Sequence, residues 1–393
     1  SEMCIRDRNI YKEKFFQADF VDMLKLRASY GIGGNIGRNT APYLIASYYD
    51  SSLVDGMAGS VNTPPNKDIR WEKTTTVNVG VDFALFRHRL SGTIEYYNKY
   101  SVDLLAAING SPTQGFGYTT LMTNNGKMVN RGVEITLSGE IIRQKDFSWN
   151  ASLLYAFNRN KVKHISVQPS LWDSRISMPT SYPMVGKPLY GIYAYKWAGL
   201  NENGDPQVYD AENNVTSGPA RDYHALVYCG TTVPIHNASL TNVLRYKGFE
   251  FSAMLILDAG HKLRSSNIPS INMSNGRITS TAKGIVDRWT QPGDVTDVPR
   301  LLFSNDTENF NTHRTELYRY SDLFVYDASN IRLSNISLAY RVPAHWCKKI
   351  SLSGARLQFN VENVATFAFD SKANYDLGGK VKPNYVWGLY LNF

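Results

Sequence analysis

Seven histidines, three cysteines and a scatter of carboxylates are the groups with which this 393-residue sequence could do covalent or metal chemistry. None of them is spaced for it. There is no GxSxG elbow, no HExxH zinc pair, no P-loop and no CxxC pair. Cys4, Cys229 and Cys347 stand too far apart for a zinc knuckle or a disulfide framework. The histidines, among them His164, His236 and His261, are dispersed over loop and turn segments and read as solvated or structural. Loop carboxylates are frequent, and spacing alone singles out no acid–base pair. The sequence therefore assigns no catalytic, cofactor or metal residue, and it leaves the substrate-binding residues unassigned.

Three shorter patterns stand out. Gly31, Gly33, Gly34 and Gly37 follow a strand-like run, but the spacing is not GxGxxG and no amphipathic helix follows. They read as a glycine-rich exit into a surface loop. Asn201, Asn203 and Asp205 imitate the opening of a calcium loop. Gly204 is misplaced for that role and no bidentate glutamate follows, so tight-turn chemistry accounts for the stretch. Arg27, Asn78, Asp82 and Glu95 fall on the polar side of strands that are apolar on the other side. They read as groups that solvate an inner wall rather than as substrate contacts.

Those four charged or amide side chains point back to the elements that carry them. Over Trp71–Leu105, Thr75, Val77, Val79, Val81 and Phe83 alternate with Thr74, Thr76, Asn78, Gly80 and Asp82, and a second alternating run starts at Leu90. Period two gives each strand one apolar and one polar face. Polar faces that carry Asn78, Asp82, Glu95 and Lys99 are too wet for the core of a sandwich. They suit the lumen side of a membrane-spanning barrel. The same alternation marks strands at 24–33, 132–142, 147–158, 237–245, 249–257, 330–340, 350–361 and 384–393, ten in all with those at 71–86 and 90–99, and one or two more are expected within 161–235. The alternation slips near Ser334, which predicts a bulge. Short turns at 85–88, 143–146, 246–248 and 342–349 alternate with long loops, the arrangement of a barrel with short periplasmic turns and long external loops. The expected fold is all-β, an antiparallel transmembrane β-barrel present as a partial wall of ten to twelve strands.

Composition agrees. Aromatic residues make up 12% of the chain (25 Tyr, 17 Phe, 7 Trp), enough for girdles at two membrane boundaries. No apolar run is long enough for a transmembrane helix, which does not weigh against a barrel. The formal charge of +8 is spread along the chain rather than clustered, so it does not point to nucleic acid. Residues 1–8 (SEMCIRDR) match nothing that follows, resemble adapter-derived sequence and are expected to stand outside the fold. No signal peptide opens the chain, and the chain is expected to be a fragment of a longer one.

Six segments name a family. LKLRASYGIGGN (24–35), WEKTTTVNVGVDFALF (71–86), NNGKMVNRGVEITLSG (124–139), YAYKWAGLNENGDP (193–206), DRWTQPGD (287–294) and ASNIRLSNISLAYRVP (328–343) occur in family order. The chain resembles the C-terminal part of a SusC/RagA-type TonB-dependent outer-membrane transporter over residues 9–393. The resemblance implies a barrel of about 22 strands around an N-terminal plug, which is not in this chain. It also implies a Bacteroidota-like outer membrane, a SusD-like surface lipoprotein over the external mouth and energy from the TonB complex. Substrate contacts would come from external loops, where Tyr118, Trp172 and Trp197 suit stacking on sugars and equally the packing of loop cores. Asp287, Trp289, Asp294 and Asp297 suit loop packing or contact with the lipoprotein lid. The expected activity is import of an oligosaccharide, without enzymatic chemistry and without nucleic acid. The competing readings are a peptide importer of the same family and an adhesive or structural outer-membrane β-protein.

Overall fold

The computed structural model describes residues 2–13, 16, 18–37, 42–50, 56–63, 65–109, 113, 120–167, 174–218, 222–274, 277–301, 312–349, 351–377 and 382–393. Eleven strands form one antiparallel sheet in chain order: β1 (Glu2–Asn9), β2 (Val21–Asn35), β3 (Glu72–Leu85), β4 (Leu90–Asn109), β5 (Thr120–Arg143), β6 (Phe147–His164), β7 (His236–Tyr246), β8 (Phe249–Ala259), β9 (Asn330–Arg341), β10 (Gly354–Ala368) and β11 (Asn384–Asn392). Among the described residues, β1 and β11 each pair with one neighbour, so the sheet is an open wall with two edges.

Register sorts the side chains into two faces. Val81, Ile94, Ile135, Tyr155, Ala238 and Leu257 are successive cross-strand neighbours on one face. One residue further along, Gly80, Glu95, Glu134, Ala156, Asn237 and Asp258 are neighbours on the other. Aromatic residues bound the apolar face at both ends. On the short-turn side, Phe147, Tyr246, Phe249 and Tyr340 form a cross-strand row, with the Phe249 and Tyr340 rings 4.5 Å apart. On the loop side, Phe157 lies 5.3 Å from the His236 ring, and Tyr155 Oη is 2.8 Å from His236 Nδ1. From Phe147 to Phe157 is eleven residues of β6. At about 3.3 Å per residue and a tilt of about 45°, that run spans about 25 Å, the height of the apolar band of a membrane barrel.

A polar side chain of β7 lies on the apolar face. Asn242 lies between Ala151 and Ala253 in the register, and Trp149 Nε1 donates to its Oδ1 at 3.1 Å. An amide facing lipid has no water to turn to, so the indole holds it. Trp149→Phe is expected to destabilise the wall by about 1 kcal/mol in a denaturant titration in micelles, and adding Asn242→Leu should restore the loss. A double variant as unstable as the single one would show that the bond is not what matters.

Three differences from the sequence reading have physical causes. The wall strands β4, β5 and β6 run well past the residues expected, so much of 106–130, read as loop, is strand. Alternation marks only the part of a strand that meets lipid, whereas main-chain pairing continues into water with polar residues on both faces. Past the end of β6 at His164, no further wall strand lies within 161–235 among the described residues; the strands there form small separate sheets. Gly191–Tyr195 is buried at all five positions, which a strand between lipid and a wet lumen cannot be. Residues 2–9, expected to stand outside the fold, pair with β2 as β1. An open sheet edge accepts any extended chain through main-chain groups, so the pairing does not bear on where these residues come from. The bulge expected at Ser334 is present, with register shifts opposite both β8 and β10.

The fully buried core lies outside the wall. Tyr193, Tyr195, Val208, Leu226 and Leu317 form it, within the two long excursions that follow β6 and β8. These excursions fold into short sheets, such as Gly191–Tyr195 with Leu226–Thr231 and Trp197–Leu200 with Pro206–Tyr209, and the helix Thr312–Arg319 packs beside Pro206–Tyr209.

Candidate functional site: the polar wall face and the loop layer

On the polar face, β2, β3 and β4 bring three of the four predicted inner-wall residues together. Arg27 grips Asp82 through two bonds (2.7 and 2.9 Å), Thr93 Oγ1 donates to Asp82 at 3.0 Å, and Glu95 lies 3.8 Å from the same guanidinium. Asn78 is not part of this group; its Oδ1 is buried with no hydrogen-bond partner among the described residues. Further along the same face, a hollow of about 300 Å³ is lined by Glu134, Thr136, Leu154, Asn237, Ser239 and Asp258. Asn237 Nδ2 donates to Asp258 at 2.7 Å. A wall of this kind offers charges and amides to a polar solute.

The glycine-rich end of β2 has a packing role. A Cβ on Gly34 would come within 2.7 Å of the Trp71 ring, so the glycine makes room for the indole.

In the loop layer, two of the patterned segments dock on each other. Asn201 Oδ1 accepts from the backbone N–H of Asn203 and of Asp205, both at 2.9 Å, which closes a tight turn. Gly204 sits at φ +73°, and a side chain there would overlap the Trp289 ring. Arg300 holds Asp205 with two bonds (3.0 and 2.9 Å) and donates its backbone N–H to Gly204 O. Arg314, from the helix, donates to the same carboxylate at 2.6 Å. Burial alone would raise the Asp205 pKa; the two guanidiniums more than offset it and hold the carboxyl below its usual range. With Asn201 spent on amides and Asp205 on two guanidiniums, the stretch behaves as a turn. Among the described residues no cluster of three or more His, Cys, Asp or Glu has the geometry to hold a metal ion.

Two carboxylates of the second stretch are also engaged, while Asp287 takes part through its backbone carbonyl, which accepts from Thr296 Oγ1. Asp294 accepts from Thr290 N, Thr290 Oγ1 and Gln291 N, and Asp297 accepts from Trp197 Nε1 at 2.9 Å. Trp197 therefore packs the loop core, with its ring 5.7 Å from that of Tyr318. Tyr118 and Trp172, the other aromatics singled out for stacking, lie outside the described residues. Arg264 ties the layer together, donating to the carbonyls of Tyr193 (2.7 Å), Arg319 and Ser321 (both 3.3 Å). Sequence reading missed the Asp205–Arg300–Arg314 knot. The available signal was that both partners of the Asp205–Arg300 pair sit in Gly-Asp-Pro and Pro-Arg contexts, at the ends of patterned loops.

The three histidines singled out in the sequence have different surroundings. His164 is exposed, His236 belongs to the aromatic girdle, and burial pushes the His261 imidazole below its usual range. Burial, with Asp322 nearby, raises the Cys229 thiol to about 11. At pH 8 about one thiol in a thousand is then ionised, and thiolate is the reactive form. Iodoacetamide at pH 8 is expected to label the exposed Cys4 and to spare Cys229 until denaturant is added, read by peptide mass mapping. Rapid labelling of Cys229 in the folded protein would contradict this burial.

The family described as TonB dependent receptor-like, beta-barrel matches residues 10–364. A TonB-dependent receptor of Formosa agariphila is 26% identical over 97% of this chain and 39% of its own length. The TonB-dependent receptor SusC of Bacteroides thetaiotaomicron is 26% identical over 91% of this chain and 35% of its own length. In fold, the RagAB peptide transporter superposes with a TM-score of 0.78 at 23% identity, over 100% of this chain and 43% of that chain. The chain thus spans well under half the length of these relatives. With its two-faced wall, aromatic girdles and folded loop layer, this chain belongs to the TonB-dependent receptor β-barrel family, and its sheet is part of an outer-membrane barrel wall.

Proposed function

We propose that the protein of which this wall is part imports an oligosaccharide across the outer membrane, driven through TonB and working with a SusD-like surface lipoprotein over the loop layer. The observation that carries this reading is the pairing of a charged, amide-rich inner face with a folded layer of loops at one end of the wall. The inner face suits passage of a polar solute, and the loop layer suits capture. Sugar is favoured over other cargo by exposed tyrosine rings in the stretch that joins β2 to β3. Tyr43, Tyr48 and Tyr49 are 76%, 71% and 54% exposed, the last two on the hairpin strand Ile45–Asp50. Flat rings with a polar rim suit the apolar faces and hydroxyl edges of sugars. The likeness in fold to a peptide transporter supports peptide as the competing cargo.

The test is uptake of a fluorescent oligosaccharide by cells that express the full gene together with the lipoprotein gene beside it. Uptake abolished by a protonophore and by deletion of the lipoprotein supports the proposal. Uptake of peptides alone transfers the reading to the peptide importer. Accumulation of neither, with cells that adhere to surfaces instead, supports the adhesive reading.

A further inference from the structure

A cavity of about 470 Å³ opens at the loop-side edge of the apolar belt. Its floor includes Phe157 and His236, which end the belt, and its walls carry Arg159, Lys161 and Lys187. Tyr228 closes one side, with Lys187 Nζ 4.8 Å from its ring centroid. Arg159 and Lys161 continue the alternate positions of Tyr155 and Phe157 along β6, so they lie on the lipid-facing side of the wall. Arg131 stands directly opposite Arg159 on β5 and adds a fourth cation to the same face. No carboxylate lines the cavity, and among the described residues none of these four cations forms an ion pair. Arg131 has only the amide oxygen of Asn98, at 3.1 Å.

Like charges held this close repel one another, and the arrangement gains most from an anion placed among them. Depth decides which anion. Just beyond the aromatic boundary is the level of lipid headgroups, and below it the floor passes without a break into the belt that meets acyl chains. Arginine offers a planar fork to phosphate and lysine a point charge, so the set suits a phosphate group that is anchored by hydrocarbon. We infer that this cavity holds the phosphorylated headgroup of a membrane lipid from the loop-side leaflet, with its chains lying over Phe157 and Tyr155. The inference rests on the reading of β1–β11 as a membrane wall. Such a lipid would seal the junction between the wall and the loop layer, where main chain at Gly186 and Lys187 continues the pairing of β6 beyond the end of β7.

The full-length protein that contains this wall, folded into mixed vesicles of phosphatidylcholine and phosphatidylglycerol with matched acyl chains, is extracted, and its retained lipids are counted by native mass spectrometry. Phosphatidylglycerol is expected to be enriched about tenfold over its share of the vesicle. The triple variant Arg159→Gln, Lys161→Gln, Lys187→Gln should lose that enrichment. Removing the same charge from the loop layer with Lys196→Gln, Lys283→Gln, Lys372→Gln should keep it. The charge-preserving triple Arg159→Lys, Lys161→Arg, Lys187→Arg should also keep it, and circular dichroism reports whether each variant retains its strands. No enrichment in the unchanged chain, equal loss in the loop-layer control, or complete displacement of the lipid by inorganic phosphate would each overturn the inference. If the full-length protein enters vesicles of no composition, the membrane reading itself fails. If it enters but shows no headgroup preference, only this site does.

Discussion

Asp205→Ala is expected to undock the external loop layer by about 3 kcal/mol while leaving the wall paired. The reason is what stays behind. Arg314 is 13% exposed, and among the described residues the carboxylate it pairs with is the one it shares with Arg300. Removing that carboxylate strands a nearly buried cation beside a second one, which costs more than the pair's own net attraction. The figure sits at the low end for buried pairs because Asp205 itself is 20% exposed. Asp205→Asn should cost less, since one oxygen still accepts. Arg300→Gln should cost least, since that side chain is 25% exposed and leaves Arg314 paired. The readouts are limited proteolysis of 197–300 and the emission of Trp289, whose ring is held over Gly204. Loss of the whole sheet, or equal effects of all three variants, would count against the knot as the local clasp.

The same carboxylate fixes the pH dependence of docking. Burial raises its pKa, the two guanidiniums lower it further than burial raises it, and the folded value lies below the ordinary one. A depressed folded pKa contributes stability that is complete above the unfolded pKa and is lost as pH falls through the folded pKa. The loop layer should therefore stay docked at about pH 4, where a free aspartate is half protonated, and open only under more acid conditions. In Asp205→Asn that acid transition should weaken, and what remains comes from Asp294 and Asp327, which hydrogen bonds also hold below the usual carboxylate range.

How much of this was legible follows from what lipid imposes on a sequence. Where a strand crosses the belt, water is absent on one side, and alternation such as Val77, Val79, Val81 and Phe83 is forced; the ten strands found by alternation are all wall strands. Above the belt both faces are wet, so Asn130, Asn160 and Lys161 carry no period, and the extra lengths of β4, β5 and β6 left no trace. The loop layer is hidden for a different reason. Its core joins Tyr193 and Val208 to Leu317, more than a hundred residues apart, and no local spacing encodes that meeting. The inner-wall charges were placed on the right face, yet their partners were not, because register decides that Arg27 meets Asp82 and misses Asn78.

Two adjacent leucines test the assignment of the faces. Leu153 lies between Leu137 and Leu240 on the apolar face, while Leu154 lies between Thr136 and Ser239 on the polar face and is 51% exposed. Composition cannot separate them; only the pleat does. Leu153→Arg puts a charge near the middle of the belt and is expected to cost about 2–4 kcal/mol of folding stability in lipid vesicles. Leu154→Arg places the same charge on the wet side, close to Glu134 and Asp258 in the hollow, and should change stability by less than about 0.5 kcal/mol. Urea titration in vesicles, followed by tryptophan emission, measures both. In detergent-free water the contrast should vanish, because Leu153 then gains nothing from lipid. If Leu154→Arg proved the costly one, the faces would be reversed and the polar wall could not be a lumen. If both were costly, the sheet would be packed on two sides as in a sandwich.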